Sequence, residues 1–198
     1  MENNYEVTED LYSDDEKEWE NYRRMTHRQD GRIHRDDDLP AVQIYKPNSD
    51  EIVREEWWLY GRLHREDNPA IQYYRTTREG MTVLSDQKWY RGGQLSRDDA
   101  PAVIERDGDT IYHEGWWQND QRHRIGAPAE SWFDVNTGVV LLEQWFRYNQ
   151  LDRNEGAAVI ERHHETGAVI HEEFFRKGQQ FTSDGRPVIK ADLKFTLT

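Results

Sequence analysis

A motif of about fifteen residues recurs six times along the chain, and that periodicity limits the fold before any single side chain does. The clearest copies read WWLYGRLHREDNPAI (Trp57 to Ile71), WYRGGQLSRDDAPAV (Trp89 to Val103), WWQNDQRHRIGAPAE (Trp116 to Glu130) and WFRYNQLDRNEGAAV (Trp145 to Val159). A weaker copy, DGRIHRDDDLPAV (Asp30 to Val42), opens the series, and a degraded one, FFRKGQQFTSDGRPVI (Phe174 to Ile189), closes it. The copies align on one position, held by Gly31, Gly61, Gly93, Asp120, Asn149 and Gly178, at intervals of 30, 32, 27, 29 and 29 residues. Gly, Asn and Asp tolerate positive φ, and tight hairpin turns require it. A β-hairpin tip is therefore predicted at each position, with Gly92, Asn119 and Lys177 fitting the first place of a two-residue loop.

Five of the tips follow an aromatic pair: Trp57-Trp58, Trp89-Tyr90, Trp116-Trp117, Trp145-Phe146 and Phe174-Phe175. Four residues after the tip stands Arg35, Arg65, Arg97, Arg124 or Arg153, with Thr182 in the last copy. Pro-Ala or its echo comes next, then a strand-like stretch, then a second turn such as Asp107-Gly108-Asp109 or Glu165-Thr166-Gly167, built of turn formers. Each unit reads as two antiparallel strands. The chain reads as an all-β, elongated, twisted antiparallel meander of about six 29-residue hairpin repeats. At ~4.8 Å per strand a unit advances ~10 Å, and six units make a ribbon roughly 55–60 Å long.

Composition agrees with a thin assembly. Mean hydropathy is −1.11 and only 35% of residues are hydrophobic, poor material for a deep core. Eight Trp and ten Tyr are nevertheless too many for a disordered chain. Units that pack only on their neighbours reconcile the two. There is no cysteine, which excludes disulfides and thiolate metal sites and permits an intracellular setting. No apolar run is long enough to cross a bilayer as a helix, and the start lacks the pattern of a signal peptide. The net charge is −13, and residues 1–20 hold nine acids against one lysine. This balance argues against nucleic acid and against docking on anionic lipid.

The ends break the pattern. Residues 1–26 form an acidic segment, and 27–198 the repeat array. Ser13-Asp14-Asp15-Glu16 reads as a capping box. Acids then precede Arg23, Arg24 and Arg28 in the order a helix dipole prefers. Trp19, Tyr22 and Met25 or Thr26 fall on one helical face. A short helix over about 14–26 is predicted to cap the first edge of the ribbon, with 1–12 loose before it. The alternating stretch from Ile189 to Leu197 is predicted as a final edge strand protected by Lys190 and Lys194.

The unit Trp58-Leu59-Tyr60-Gly61-Arg62-Leu63-His64 resembles the MORN repeat, and Trp117 to His123 follows the same spacing with Asp120 in the glycine place. Arg65 and Arg124 stand where the standard unit continues with glycine. The longer form, G-x-L-H-R-x-D-x-P-A, is similar to the variant abundant in proteins of large DNA viruses of amoebae and in some bacteria. The resemblance covers about residues 25–190. It implies an open antiparallel sheet, protein–protein contact, frequent dimerisation, a disputed role at lipid, and no catalytic residues.

The repeated His34, His64 and His123 invite a metal reading, but equivalent residues sit ~10 Å apart, whereas zinc ligands lie ~2.0–2.3 Å from one ion. His163, His164 and His171 read as loop and strand residues. The Arg column, followed two residues on by Asp37, Asp67, Asp99 or Glu155, with Gly126 the exception, reads as local, an Arg–carboxylate pair or an Asp–backbone bond that shapes the turn before Pro; a ligand-binding Arg stripe is the alternative. Adjacent strand residues face opposite ways, so each aromatic pair puts one ring on each face. One column then either stacks internally or offers an interface, for which Trp and Tyr are suited. The acidic start is a solvated segment or a docking arm for a basic partner. The expectation is a non-enzymatic protein-interaction scaffold, homodimeric through aromatic surface, without cofactor or metal and without nucleic acid as partner. It places the protein inside a cell, in host cytoplasm or virion if viral. The alternative is a membrane-associated organiser, which the charge balance disfavours.

Overall fold

In a computed structural model, residues 4–14 and 19–188 are described. Among these residues, thirteen strands succeed one another in a single antiparallel meander, each paired with its neighbours in chain order. The first two are β1 (Tyr5–Asp14) and β2 (Trp19–Gln29). After them come Val42–Tyr45, Ile52–Glu56, Ile71–Thr76, Thr82–Lys88, Val103–Asp107, Thr110–Gly115, Glu130–Phe133, Val140–Gln144 and Val159–Arg162, and the ladder ends with Val169–Arg176 and Gln179–Phe181. The all-β meander is as the repeats predict.

The predicted tips are present, and both central residues of each have positive φ: Asp30-Gly31, Tyr60-Gly61, Gly92-Gly93, Asn119-Asp120, Tyr148-Asn149 and Lys177-Gly178. That double requirement is the reason Gly, Asn and Asp recur there. Four of the units, however, hold more than two strands. Between Ile52–Glu56 and Ile71–Thr76 the chain leaves the sheet to form a small hairpin, Trp58–Leu59 against Arg62–Leu63. Tyr90–Arg91 with Gln94–Leu95, Trp117–Gln118 with Gln121–Arg122, and Phe146–Arg147 with Gln150–Leu151 repeat the excursion.

No helix occurs among the described residues. The helix expected over 14–26 is corrected: Trp19–Gln29 is a strand, and residues 15–18 lie outside the described ones. β2 pairs on one side with β1 and on the other with Val42–Tyr45, so tertiary pairing overrides local helical signals. The acids-then-bases order suits this antiparallel pair equally well. Asp10 takes a two-pronged bond from Arg24, 2.9 and 2.5 Å, and Glu9 sits 3.6 Å from Arg23. The stretch expected to be loose, 1–12, is strand from Tyr5 onward. A boundary at 26/27 falls inside β2. The expected tail strand at 189–197 lies outside the described residues.

The core is shallow and repeats with the units. Ala41, Ala70, Ala102, Ala129 and Ala158 are each 0% exposed, at the corner where the tip hairpin rejoins the sheet. Val42, Ile44 and Val53 form one apolar cluster, on which Ile33 and Trp58 pack. Trp89, Leu95, Val103 and Ile104 form another, on which Tyr90 and Trp117 pack. Register places charged groups on the same face as Val42 and Val103. Arg54 bonds the buried Glu56 at 2.6 Å, and Trp58 donates its indole N–H to the same carboxylate at 2.6 Å. His113 lies between Glu105 (3.1 Å) and the buried Glu130 (2.7 Å) and stacks on Trp132 at 4.5 Å. Paired buried charges thus fill part of a core for which the sequence has too few apolar residues.

Candidate interaction groove

The first aromatic of four of the pairs is the corner. Its amide donates to the carbonyl of the recurring alanine of its own unit: Trp57 to Ala70, Trp89 to Ala102, Trp116 to Ala129, Trp145 to Ala158, all 2.7–2.8 Å. Its carbonyl accepts from the residue three past the tip, His64, Ser96, His123 or Asp152. Over its ring lies the repeated arginine: Arg65 at 3.9 Å, Arg97 at 4.0 Å, Arg124 at 3.6 Å and Arg153 at 3.8 Å from the ring centre. The same arginine donates from Nη1 to the carbonyl of Pro69, Pro101, Pro128 or Ala157. Arg35 makes that bond to Pro40. The arginine therefore clamps the loop onto the corner ring by cation–π contact. Of the two local roles expected, the pair between this arginine and the acid two residues on does not occur among the described residues.

Successive tips are joined to one another. The turn-residue amides of Gly61, Gly93, Asp120, Asn149 and Gly178 donate to Ile33, Leu63, Leu95, Arg122 and Leu151 of the preceding tip, 2.8–3.1 Å. Asp120 and Asn149 add a return bond, accepting the amides of Leu95 (2.7 Å) and Arg122 (2.8 Å). The histidines belong to this ladder. His34 Nδ1 faces the amide of Tyr60 at 3.5 Å and its ring stacks on Tyr60 at 4.2 Å. His64 Nδ1 accepts from Gly92 at 3.1 Å, and Asp152 does the same for Lys177 at 3.1 Å. His123 stacks on Tyr148 at 4.1 Å, and burial, then Arg147, holds its pKa below the usual value. Stacking supports bulky Tyr60 and Tyr148 at positive φ, where a large side chain is otherwise unfavourable.

Of the ten residues in the aromatic pairs, Trp57, Trp89 and Phe146 are buried, and Trp58, Tyr90, Trp116, Trp117, Trp145, Phe174 and Phe175 are half-buried. None is among the exposed large hydrophobic residues, which include Tyr5, Val7, Leu11 and Ile125. The structure thus places both columns mainly inside, between sheet, tips and arginine clamps. What stays open is a series of clefts between consecutive arginine loops. One of about 560 Å³ is lined by Asp38, Trp57 and Arg65, one of about 200 Å³ by Arg65, Trp89 and Arg97, and one of about 410 Å³ by Arg97, Trp116, His123, Arg124 and Ile125. No sequence signal marks this groove beyond the spacing of the arginines themselves.

Among the described residues, one local cluster has the groups to hold a metal ion. The ligating atoms of His163, His164 and Glu165 lie within 4.8 Å of one another in a turn. Their two imidazoles are stacked at 4.9 Å, and His163 Nδ1 already faces the amide of Glu165 at 3.3 Å. His171 bonds Glu173 instead, at 3.2 Å. No helix of the described residues is long and apolar enough to cross a membrane.

Set beside known proteins, the chain matches no family model, no curated protein and no solved structure.

Proposed function

We propose that the protein is a non-enzymatic interaction scaffold of MORN-like construction, which presents a periodic groove to another protein. The observation that supports this most is how the chemistry-bearing side chains are spent. Arg65, Arg97, Arg124 and Arg153 are clamps, and His34, His64 and Asp152 cap the next tip. Catalysis needs unlike groups converging on one point, whereas here like groups recur one unit apart along an open edge. Self-association belongs to the same reading. Because the paired rings are covered, the apolar surface for a second copy is the face of β1 that carries Tyr5, Val7 and Leu11, 46%, 53% and 73% exposed.

Two measurements test the reading. Immobilised wild-type protein should retain a stoichiometric protein partner from its native cell, identified by mass spectrometry; a bait that retains none overturns the scaffold. Light scattering should give a dimer mass that reverts to monomer in Val7→Lys with Leu11→Lys. A wild type that is monomeric at every concentration removes the self-association.

A further inference from the structure

The first two units contain an internal pattern that the later units lack. Arg65 keeps one edge of its guanidinium on Pro69, and its other edge, Nε and Nη2, is taken by both carboxylate oxygens of Asp38 at 2.7 Å each. The Arg65 guanidinium holds the Asp38 carboxyl below the usual carboxylate range. The backbone carbonyl of the same Asp38 accepts the indole N–H of Trp57 at 2.9 Å. One aspartyl residue thus satisfies an arginine with its side chain and a tryptophan with its main chain. It reaches them because the first loop, which contains Leu39, is one residue longer than the loops that follow.

In the next two units the receptor half of this arrangement is retained and the aspartate is absent. Arg97 and Arg124 lie over Trp89 and Trp116 in the same pose, with the same Nη1 bond to a proline carbonyl. Among the described residues no carboxylate pairs with either arginine, and Trp89 Nε1 and Trp116 Nε1 are buried without a partner. Trp89 is 8% exposed and lines its cleft. Four acids line the two clefts: Glu66 is held by His64 and Asp98 by Arg91, and Asp67 and Asp99 bond neither Arg97 nor Arg124. A buried donor without an acceptor and a half-buried cation without an anion each favour a ligand that supplies both.

We propose that the clefts at Trp89–Arg97 and Trp116–Arg124 bind an extended acidic peptide, each cleft taking one aspartyl residue in the manner of Asp38. The carboxylate forks onto the arginine, and the carbonyl of the same residue accepts the indole N–H. The two clefts lie one unit apart, ~10 Å by the two-strand advance. A polyproline II segment rises ~3.1 Å per residue with three residues per turn, so residues three apart project on one side at nearly that spacing. The ligand is therefore an Asp-x-x-Asp segment in polyproline II conformation. A fully extended strand fits less well, because its residues three apart face opposite ways. The net charge of −13 opposes such a ligand at long range, but a half-buried pair is screened less than a surface one. This assignment rests on the scaffold reading and names its partner chemistry.

The experiment is fluorescence anisotropy at physiological salt, with labelled peptides of repeating Asp-Pro-Pro and a control with Asn for Asp. Saturable binding of the first and none of the second is expected. Arg97→Gln and Arg124→Gln should each weaken it about tenfold or more, the loss of a charge-assisted bond, while exposed Arg78→Gln leaves it unchanged. A second variant guards against misfolding. Replacing Asp98-Asp99-Ala100 with the first loop's Asp-Asp-Asp-Leu should fill the Trp116–Arg124 cleft from within, raising Tm while weakening the peptide about tenfold. Equal binding of the Asn peptide, indifference to both arginine variants, or no saturable binding overturns the proposal. If those results come with a stoichiometric captured partner, the scaffold reading stands and only the acidic-peptide assignment falls.

Discussion

His113 shows what single residues do in so thin a fold. Burial works against its charge, but the hydrogen bonds and charges of Glu105 and Glu130 outweigh that and raise the imidazole from 6.5 to about 9. The folded chain therefore holds this proton more tightly than the unfolded one. The stabilisation is complete below about pH 6.5 and is lost as pH climbs through about 9. Between about pH 6 and pH 9.5, urea unfolding of wild type should lose on the order of 2–3 kcal/mol more than His113→Gln. An equal pH response in the two proteins would remove His113 as the source. Nothing in the sequence marks His113, because it stands outside the repeated motif and its acids come from two neighbouring strands. The motif histidines are conspicuous, yet their work was equally hidden. His34 and His64 serve amides 26 and 28 residues away, in the next unit. The arginines were legible as structural, while their partners, a ring and a carbonyl, were not.

At the scale of elements, turn positions were legible and excursions were not. Positive φ is a local demand that only a few residue types meet, so Gly61, Gly93, Asp120 and Asn149 announce themselves. Strands of two residues, such as Trp58–Leu59 and Arg62–Leu63, carry no periodicity. The tip hairpins therefore read as the ends of longer strands rather than as a ladder of their own. β2 was misread for a related reason: its residues satisfy both helical spacing and strand alternation, and only pairing on two sides decides. The tip ladder makes its own prediction. Asp120→Gly keeps the positive φ of the tip and leaves the Leu95 amide without its 2.7 Å acceptor. It should cost about 1 kcal/mol, and hydrogen exchange at Leu95 should accelerate while Ile71 stays protected. Unchanged exchange at Leu95 would show that the side-chain bond contributes nothing there.

For the whole molecule, periodicity alone was enough to reach the all-β meander. Which surface stays open was beyond it, since that depends on how arginine loops of adjacent units meet. The tip-to-tip bonds running beside the main sheet have a mechanical consequence. In a plain meander pulled from its two ends, strands peel away one by one. Here a unit's strands and its tip are tied to the same neighbour twice, through the sheet and through bonds such as Gly93 to Leu63. The smallest piece that can leave is a whole unit. Each release frees roughly 29 residues at ~3.5 Å of contour apiece, less the ~10 Å the folded unit spanned, so about 90 Å per step. In an optical trap the chain should lengthen in evenly spaced steps of that size, from the ends inward. A single all-or-none rip would show that the units share their load over the full length of the ribbon.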